Sequence, residues 1–177
     1  MRSAAGAWRE AYSGSVLWIT IEVDTMPAQT LKGFLDSNHV KYTTITHSPA
    51  YTAQETAASA HIPGKELAKT VIVKVDGEFA MAVLPASKHV SLTRLREAAG
   101  AGDAEIASEE EFEELFPDCE LGAMPPIGVL YDMPVFAAEE LTEDEEIAFN
   151  AGSHSELVKL AYSDFERLVH PKVVALN

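Results

Sequence analysis

An Asp-Gly pair at positions 76 and 77 lies between two runs of strand-forming residues, 69–75 and 78–84. Asp-Gly accepts positive φ at both turn positions and matches the right-handed twist of paired strands, so this stretch predicts a tight antiparallel hairpin. Around it the periodicities alternate irregularly. Leu31, Phe34 and Leu35 recur at helical spacing and predict a helix over 28–38, followed by a strand over 41–46. Thr52 and Glu55 have the form of a capping box opening an alanine-rich helix that ends at Pro63-Gly64. Helices are expected over 91–99 and 108–116, the second with another capping box at Ser108 and Glu111. Short strands are expected around 129–131, 135–137 and 157–161, then a last capped helix over 163–169. No series of long βαβ units appears. The pattern predicts an α+β fold, with a mixed, largely antiparallel sheet or partial barrel flanked by helices.

At 177 residues the chain suits a single core, and its 47% hydrophobic and 23% charged residues exclude a disordered polymer. Cys119 is the lone cysteine, so neither an internal disulfide nor a cysteine-rich zinc site is available. No metal or cofactor is expected, and the composition suits a reducing cytoplasm. An apolar patch at 16–21 follows Arg2 and Arg9, but Glu22 and Asp24 come immediately after it, which argues against a signal peptide. No run approaches the roughly 18 apolar residues of a membrane span. The regular pattern begins at Met26, so 1–25 reads as an extension and 26–177 as the domain, with Met26 the expected true start.

Charge is polarised along the chain. Residues 1–100 hold 10 Lys/Arg and 9 Asp/Glu, whereas 101–177 hold 3 and 19, for a net −15. Nucleic-acid binders usually carry a basic footprint. A local cationic patch from Lys65, Lys69, Lys74 and Lys88 remains possible in the first half, with weak RNA binding that needs a single-stranded end or a partner enzyme.

Strand alternation puts Lys69 on one side with Val71, Val73 and Val75, and Thr70, Ile72 and Lys74 on the other. A lysine heading an apolar face either snorkels to solvent, pairs with an acid, or serves a site that uses the charge. The Gly/Pro-rich stretch 122–128 reads as a connecting loop or as a place where backbone N–H groups approach a ligand. His154 is a candidate general base or a solvated loop histidine. Cys119 is flanked by Asp118 and Glu120, which would raise its pKa and disfavour a thiolate nucleophile. Ser153-His154 lacks the Gly-x-Ser-x-Gly elbow of a serine hydrolase. The acidic runs 109–114 and 143–146 lack the ligand spacing of a calcium loop and read as solvated faces.

Three blocks in order carry a resemblance. The segment Lys65-Glu-Leu-Ala-Lys69-Thr70-Val-Ile-Val-Lys74 resembles the Lys-Thr strand of the YbaK/ProX/EbsC family, relatives of the editing domain in prolyl-tRNA synthetases. Gly122-Ala-Met-Pro125-Pro126-Ile127-Gly128 is similar to the family's Gly-x-x-x-Pro-x-Gly loop, and Asn150-Ala151-Gly152 to its Ser-Ala-Gly segment. The resemblance spans 26–177. It implies that Lys69 is the catalytic cation and Thr70 a polar contact, that Gly122, Pro126, Ile127 and Gly128 wall the pocket, and that Asn150 and Gly152 border it. It also puts His47 and Tyr51 beside the pocket. His154 stands where family members more often carry basic and glycine residues.

The implied activity is trans-editing: hydrolysis of a mischarged aminoacyl-tRNA bearing a small amino acid such as Ala or Cys, on a proline tRNA. The partners implied are the aminoacyl-tRNA 3′ end and an aminoacyl-tRNA synthetase, with no membrane and no DNA. The alternatives are a non-catalytic module that keeps the pocket for an amino acid, nucleotide or synthetase, and a hydrolase of another small acylated molecule.

Overall fold

The computed structural model describes residues 27–177; the apolar patch at 16–21, the 1–25 extension and Met26 lie outside the described residues. Helix α1 (Pro27–Ser37) opens on proline, whose missing N–H is no loss at a first helical position. It closes with the Asn38 side chain donating to the Phe34 carbonyl and with His39 in the left-handed region at φ 56°. Strand β1 (Tyr42–Thr46) follows, then α2 (Ala53–Ser59). Both halves of the Thr52–Glu55 capping box are formed. The helix ends at Ser59, short of Pro63-Gly64, because the chain leaves helical geometry at His61 (φ 55°).

The hairpin is as predicted. Strand β2 (Ala68–Val75) pairs antiparallel with β3 (Glu78–Pro85), and Asp76 and Gly77 turn with φ 50° and 82°. The Asp76 carboxylate also accepts from the Gly102 and Asp103 amides, both at 2.9 Å, anchoring the segment after helix α3 (Leu92–Ala99). That segment enters β4 (Ala104–Ile106), an edge strand on β2 too short to show a period in the sequence.

The helix expected over 108–116 is one α-turn, α4 (Glu109–Phe112), continued by a 3-10 turn over Glu113–Leu115. Its capping box is present, but Glu109/Glu113 and Glu110/Glu114 place like charges four apart, which disfavours α-helix. The strand expected at 129–131 is a 3-10 turn, Gly128–Tyr131, ending in left-handed Asp132. Val129 there is half exposed, so the apolar triplet does not form a buried strand. After β5 (Val135–Ala138) comes β6 (Glu146–Ser153), which sequence reading divided between an acidic run and a glycine segment. Ile147, Ala148 and Phe149 are fully buried. Strand β7 (Glu156–Ala161) leads into α5 (Tyr162–Val169), whose N-cap is Ala161 without a side-chain cap bond, so the predicted capping is absent. Strand β8 (Lys172–Val174) closes the chain's last pairing.

The fold is α+β with two open sheets that do not close into a barrel. One has the order β1-β7-β6, all antiparallel; the other has the order β4-β2-β3-β5-β8, antiparallel through β3 and parallel from β3 to β8. A single parallel bridge, Leu67 to Ala148, joins them. Alternation along each strand then sorts three apolar clusters. Ile72, Met81, Val83, Phe149, Val158 and Leu160 join α1 and α5 in the main core. Val73, Val75, Ala82 and Leu84 join Leu95 of α3 on the opposite face of the larger sheet. A smaller cluster of Ala57, Leu67, Ala86, Ala148 and Leu157 sits under α2.

Candidate active site

Lys69 lies at the boundary between two of these clusters. Along its face of β2, Leu67 belongs to the cluster under α2, and Val71 and Val73 to the one under α3. The half-buried ammonium donates to the Ala86 carbonyl at 3.4 Å and has no carboxylate partner among the described residues. Burial pulls its pKa below the ordinary lysine value. Lys74, five residues on, is held by Glu105 at 2.6 Å and Glu111 at 2.5 Å. Lys65 pairs with Asp144 at 3.5 Å, and Lys88 shares a cleft of about 280 Å³ with Glu140, Glu143 and Asp144. The cationic patch expected from sequence is therefore not assembled: acids from the second half of the chain pair with two of its four lysines, Lys65 and Lys74, and others line the cleft beside Lys88.

Thr70 points to the other face, toward the main core. Its Oγ1 is buried and has no hydrogen-bond partner among the described residues, and the same holds for Asn150 Oδ1 and His47 Nε2. Asn150 relates to Lys69 through the bridge between the sheets. Leu67 and Ala148 bridge in parallel where the two sheets meet, and alternation along each strand puts Lys69 on the side of Leu67 and Asn150 on the side of Ala148. His47 stands two residues past Ile45 on that face, its amide continuing the β1–β7 ladder to the Ser155 carbonyl at 2.9 Å. It is 9% exposed, and its Nδ1 lies 2.7 Å from the Ser48 carbonyl.

A second group of predicted residues is tied together by hydrogen bonds. Strand β6 bulges between Asn150 and Ser153, with Gly152 at φ 99°. The Gly152 amide donates to Ala123, and Gly152's carbonyl accepts from Glu120, which joins the 120–128 loop to the bulge. The His154 ring Nε2 is 2.8 Å from the Leu121 carbonyl, its amide donates to Glu120 Oε2 at 2.6 Å, and its carbonyl accepts from Ala50. Its ring lies 5.0 Å from that of Tyr51, which is 77% exposed. Tyr51, Glu120 and His154, with Pro49 and Ser155, border a cleft of about 170 Å³.

Within the loop, Gly122 (φ 85°) faces His154, whereas Pro126, Ile127 and Gly128 are buried. Gly128 has a packing reason: a Cβ there would overlap the Met133 carbonyl oxygen and come within 2.6 Å of Val135 Cγ2. Glu120 was not anticipated as part of this group. Nothing local in the sequence marks it, because its partner His154 is 34 residues away. Cys119 contacts the Tyr131 hydroxyl at 3.5 Å, and burial first, then Asp118, raise its thiol pKa, the opposite of an activated nucleophile.

Residues 47–168 match the aminoacyl-tRNA editing domain family. The chain belongs to that family. This editing domain is 30% identical over 154 residues to the multifunctional Ser/Thr-tRNA deacylase ProXp-y of Escherichia coli K12, covering 82% of the chain and 90% of that protein. It is 31% identical over 84 residues to the proline–tRNA ligase of Bacillus mycoides KBAB4, a match that takes in 48% of the chain and 15% of the ligase. A solved structure described as a candidate trans-editing enzyme for prolyl tRNA synthetase superposes with a TM-score of 0.73 at 20% identity, covering 88% of the chain and 99% of that structure. It establishes the fold. Family and deacylase relative together support an aminoacyl-tRNA deacylase, a carboxylic ester hydrolase, as the class of enzyme. Among the described residues no helix is long and apolar enough to cross a membrane.

Proposed function

We propose that this chain is a trans-editing deacylase that hydrolyses a small amino acid from a mischarged tRNA, with Lys69 as the catalytic cation. Water attacks the ester carbonyl carbon, negative charge develops on the carbonyl oxygen, and the bond to the ribose oxygen breaks, releasing free amino acid and a tRNA hydroxyl. A positioned ammonium lowers the barrier by meeting the charge as it forms. The observation that carries this reading is the half-buried Lys69 ammonium, which has no carboxylate partner among the described residues while its neighbours Lys65 and Lys74 do. A cation already neutralised by protein could not serve an oxyanion.

The substrate is read as a small aminoacyl ester. Ala or Cys on a proline tRNA is the candidate from sequence resemblance, and Ser and Thr join them because the E. coli relative is a Ser/Thr-tRNA deacylase. Loop residues 122–128, His47, Tyr51, Asn150, Gly152 and His154 are proposed to border the aminoacyl group, and Thr70 to act from the far face of β2. The test is release of labelled amino acid from Ala-, Cys-, Ser- and Thr-charged tRNAs, by wild type and Lys69→Ala, with and without a synthetase. Lys69-dependent loss of at least one mischarged species is expected; no turnover across the panel would move the chain to the binding-module reading.

A further inference from the structure

Strands β2 and β6 belong to different sheets, which meet at the parallel bridge Leu67–Ala148, and Lys69 and Asn150 each stand two residues past that bridge on their own strand. They are chemically complementary. Lys69 brings donors and positive charge, and Asn150 brings an acceptor, Oδ1, that is buried and has no hydrogen-bond partner among the described residues. Buried acceptors in native proteins are nearly always satisfied, by protein, water or ligand. The same face of the smaller sheet presents a second such atom, His47 Nε2. Its Nδ1 faces the Ser48 carbonyl, an acceptor, and in the tautomer that donates there Nε2 is the acceptor. This sheet face therefore offers acceptors on β6 and just past the end of β1, near the point where the sheet carrying Lys69 meets it.

An aminoacyl ester carries the matching pattern. Its carbonyl oxygen gains negative charge during hydrolysis, and the adjacent carbon bears an α-amino group, the strong donor nearest the reacting bond. We propose that Asn150 Oδ1 accepts from this α-amino group while Lys69 faces the carbonyl oxygen, so that the site requires a free α-amine and discriminates against acyl esters lacking one. The inference rests on the deacylase reading and adds the chemical class that the site selects.

The experiment compares alanyl-tRNA with propionyl-tRNA, which differs only by loss of the α-amine, and seryl-tRNA with its 3-hydroxypropionyl counterpart. Each enzymatic rate is divided by the ester's spontaneous hydrolysis rate, because the ammonium itself activates the ester. A hydrogen bond to a charged group corresponds to roughly ten- to a hundredfold, so wild type should favour the aminoacyl ester by about that factor. Asn150→Ala should lose the same factor on the aminoacyl ester and nothing on the deaminated one, and Asn150→Ser, which keeps an acceptor, should restore most of it. Equal rate enhancement on both esters by wild type, a comparison that needs no variant, overturns the proposal. So does an equal loss on both in Asn150→Ala, or an Asn150→Ala loss that disappears when the terminal ribose lacks its free hydroxyl, which would assign Oδ1 to the sugar. If wild type hydrolyses no aminoacyl ester on any tRNA, the deacylase reading itself falls, and this proposal with it.

Discussion

Lys69 and Gly128 were both singled out by the same resemblance, yet their physical roles diverge. Lys69→Ala removes a half-buried ammonium that has no carboxylate partner among the described residues, and should lower kcat/KM for the edited species by about a hundredfold or more. Its thermal midpoint should stay close to wild type, because no ion pair is broken. Deacylation kinetics and calorimetry on one preparation check both halves. Gly128→Ala should do the reverse: its Cβ meets the Met133 backbone and Val135, so we expect a loss of about 2–3 kcal/mol in stability, read from the urea midpoint. Lys69 was legible in the sequence because a lysine heading an apolar strand face is conspicuous. The crowding at Gly128 was not, because Met133 reaches it only through the tight turn that follows.

At the scale of elements, local chemistry decides the pieces that short-range rules govern. The capping box at Thr52 is one. Thr52→Ala should destabilise the fold by about 1 kcal/mol and increase amide exchange over Ala53–Ser59, the helix whose Ala57 packs with Leu67 and Leu157. The α4 turn supplies a pH-dependent case. Lys74 first, then the Ser108 backbone, hold the Glu111 carboxyl down at about 2. A depressed carboxylate contributes stability above its unfolded pKa and loses it as pH falls through the folded value. Glu111→Gln should therefore flatten stability against pH between about pH 4.5 and 2 and leave the alkaline side unchanged, as measured by denaturation across that range. Strand β6 escaped sequence reading for the opposite reason. Its residues carry an acidic start and an Asn-Ala-Gly end, and only pairing with β7 and bridging to Leu67 make them a strand.

For the whole molecule, the net charge of −15 and the neutralisation of Lys65 and Lys74 leave few cations to meet a phosphate backbone. Deacylation should depend weakly on salt, with a log–log slope of about −2 or shallower in kcat/KM, since each phosphate contact on a single strand contributes roughly −0.7. A steep slope would mean that a cationic surface reaches the tRNA body from elsewhere in the chain or from a partner. The sequence alone determined what depends on neighbours in the chain: the Asp76-Gly77 hairpin, the capping boxes at Thr52 and Ser108, the amphipathic faces and the lysine at the head of β2. Those are short-range sterics and hydrogen bonds, complete within a few residues. Tertiary structure alone decided that Ala148 would bridge to Leu67 at the foot of β2, that Glu120 would hold His154, and that acids from the second half would fall on lysines of the first. Each of these joins segments more than 30 residues apart, and such contacts form only when burial of the shared core brings distant strands into register.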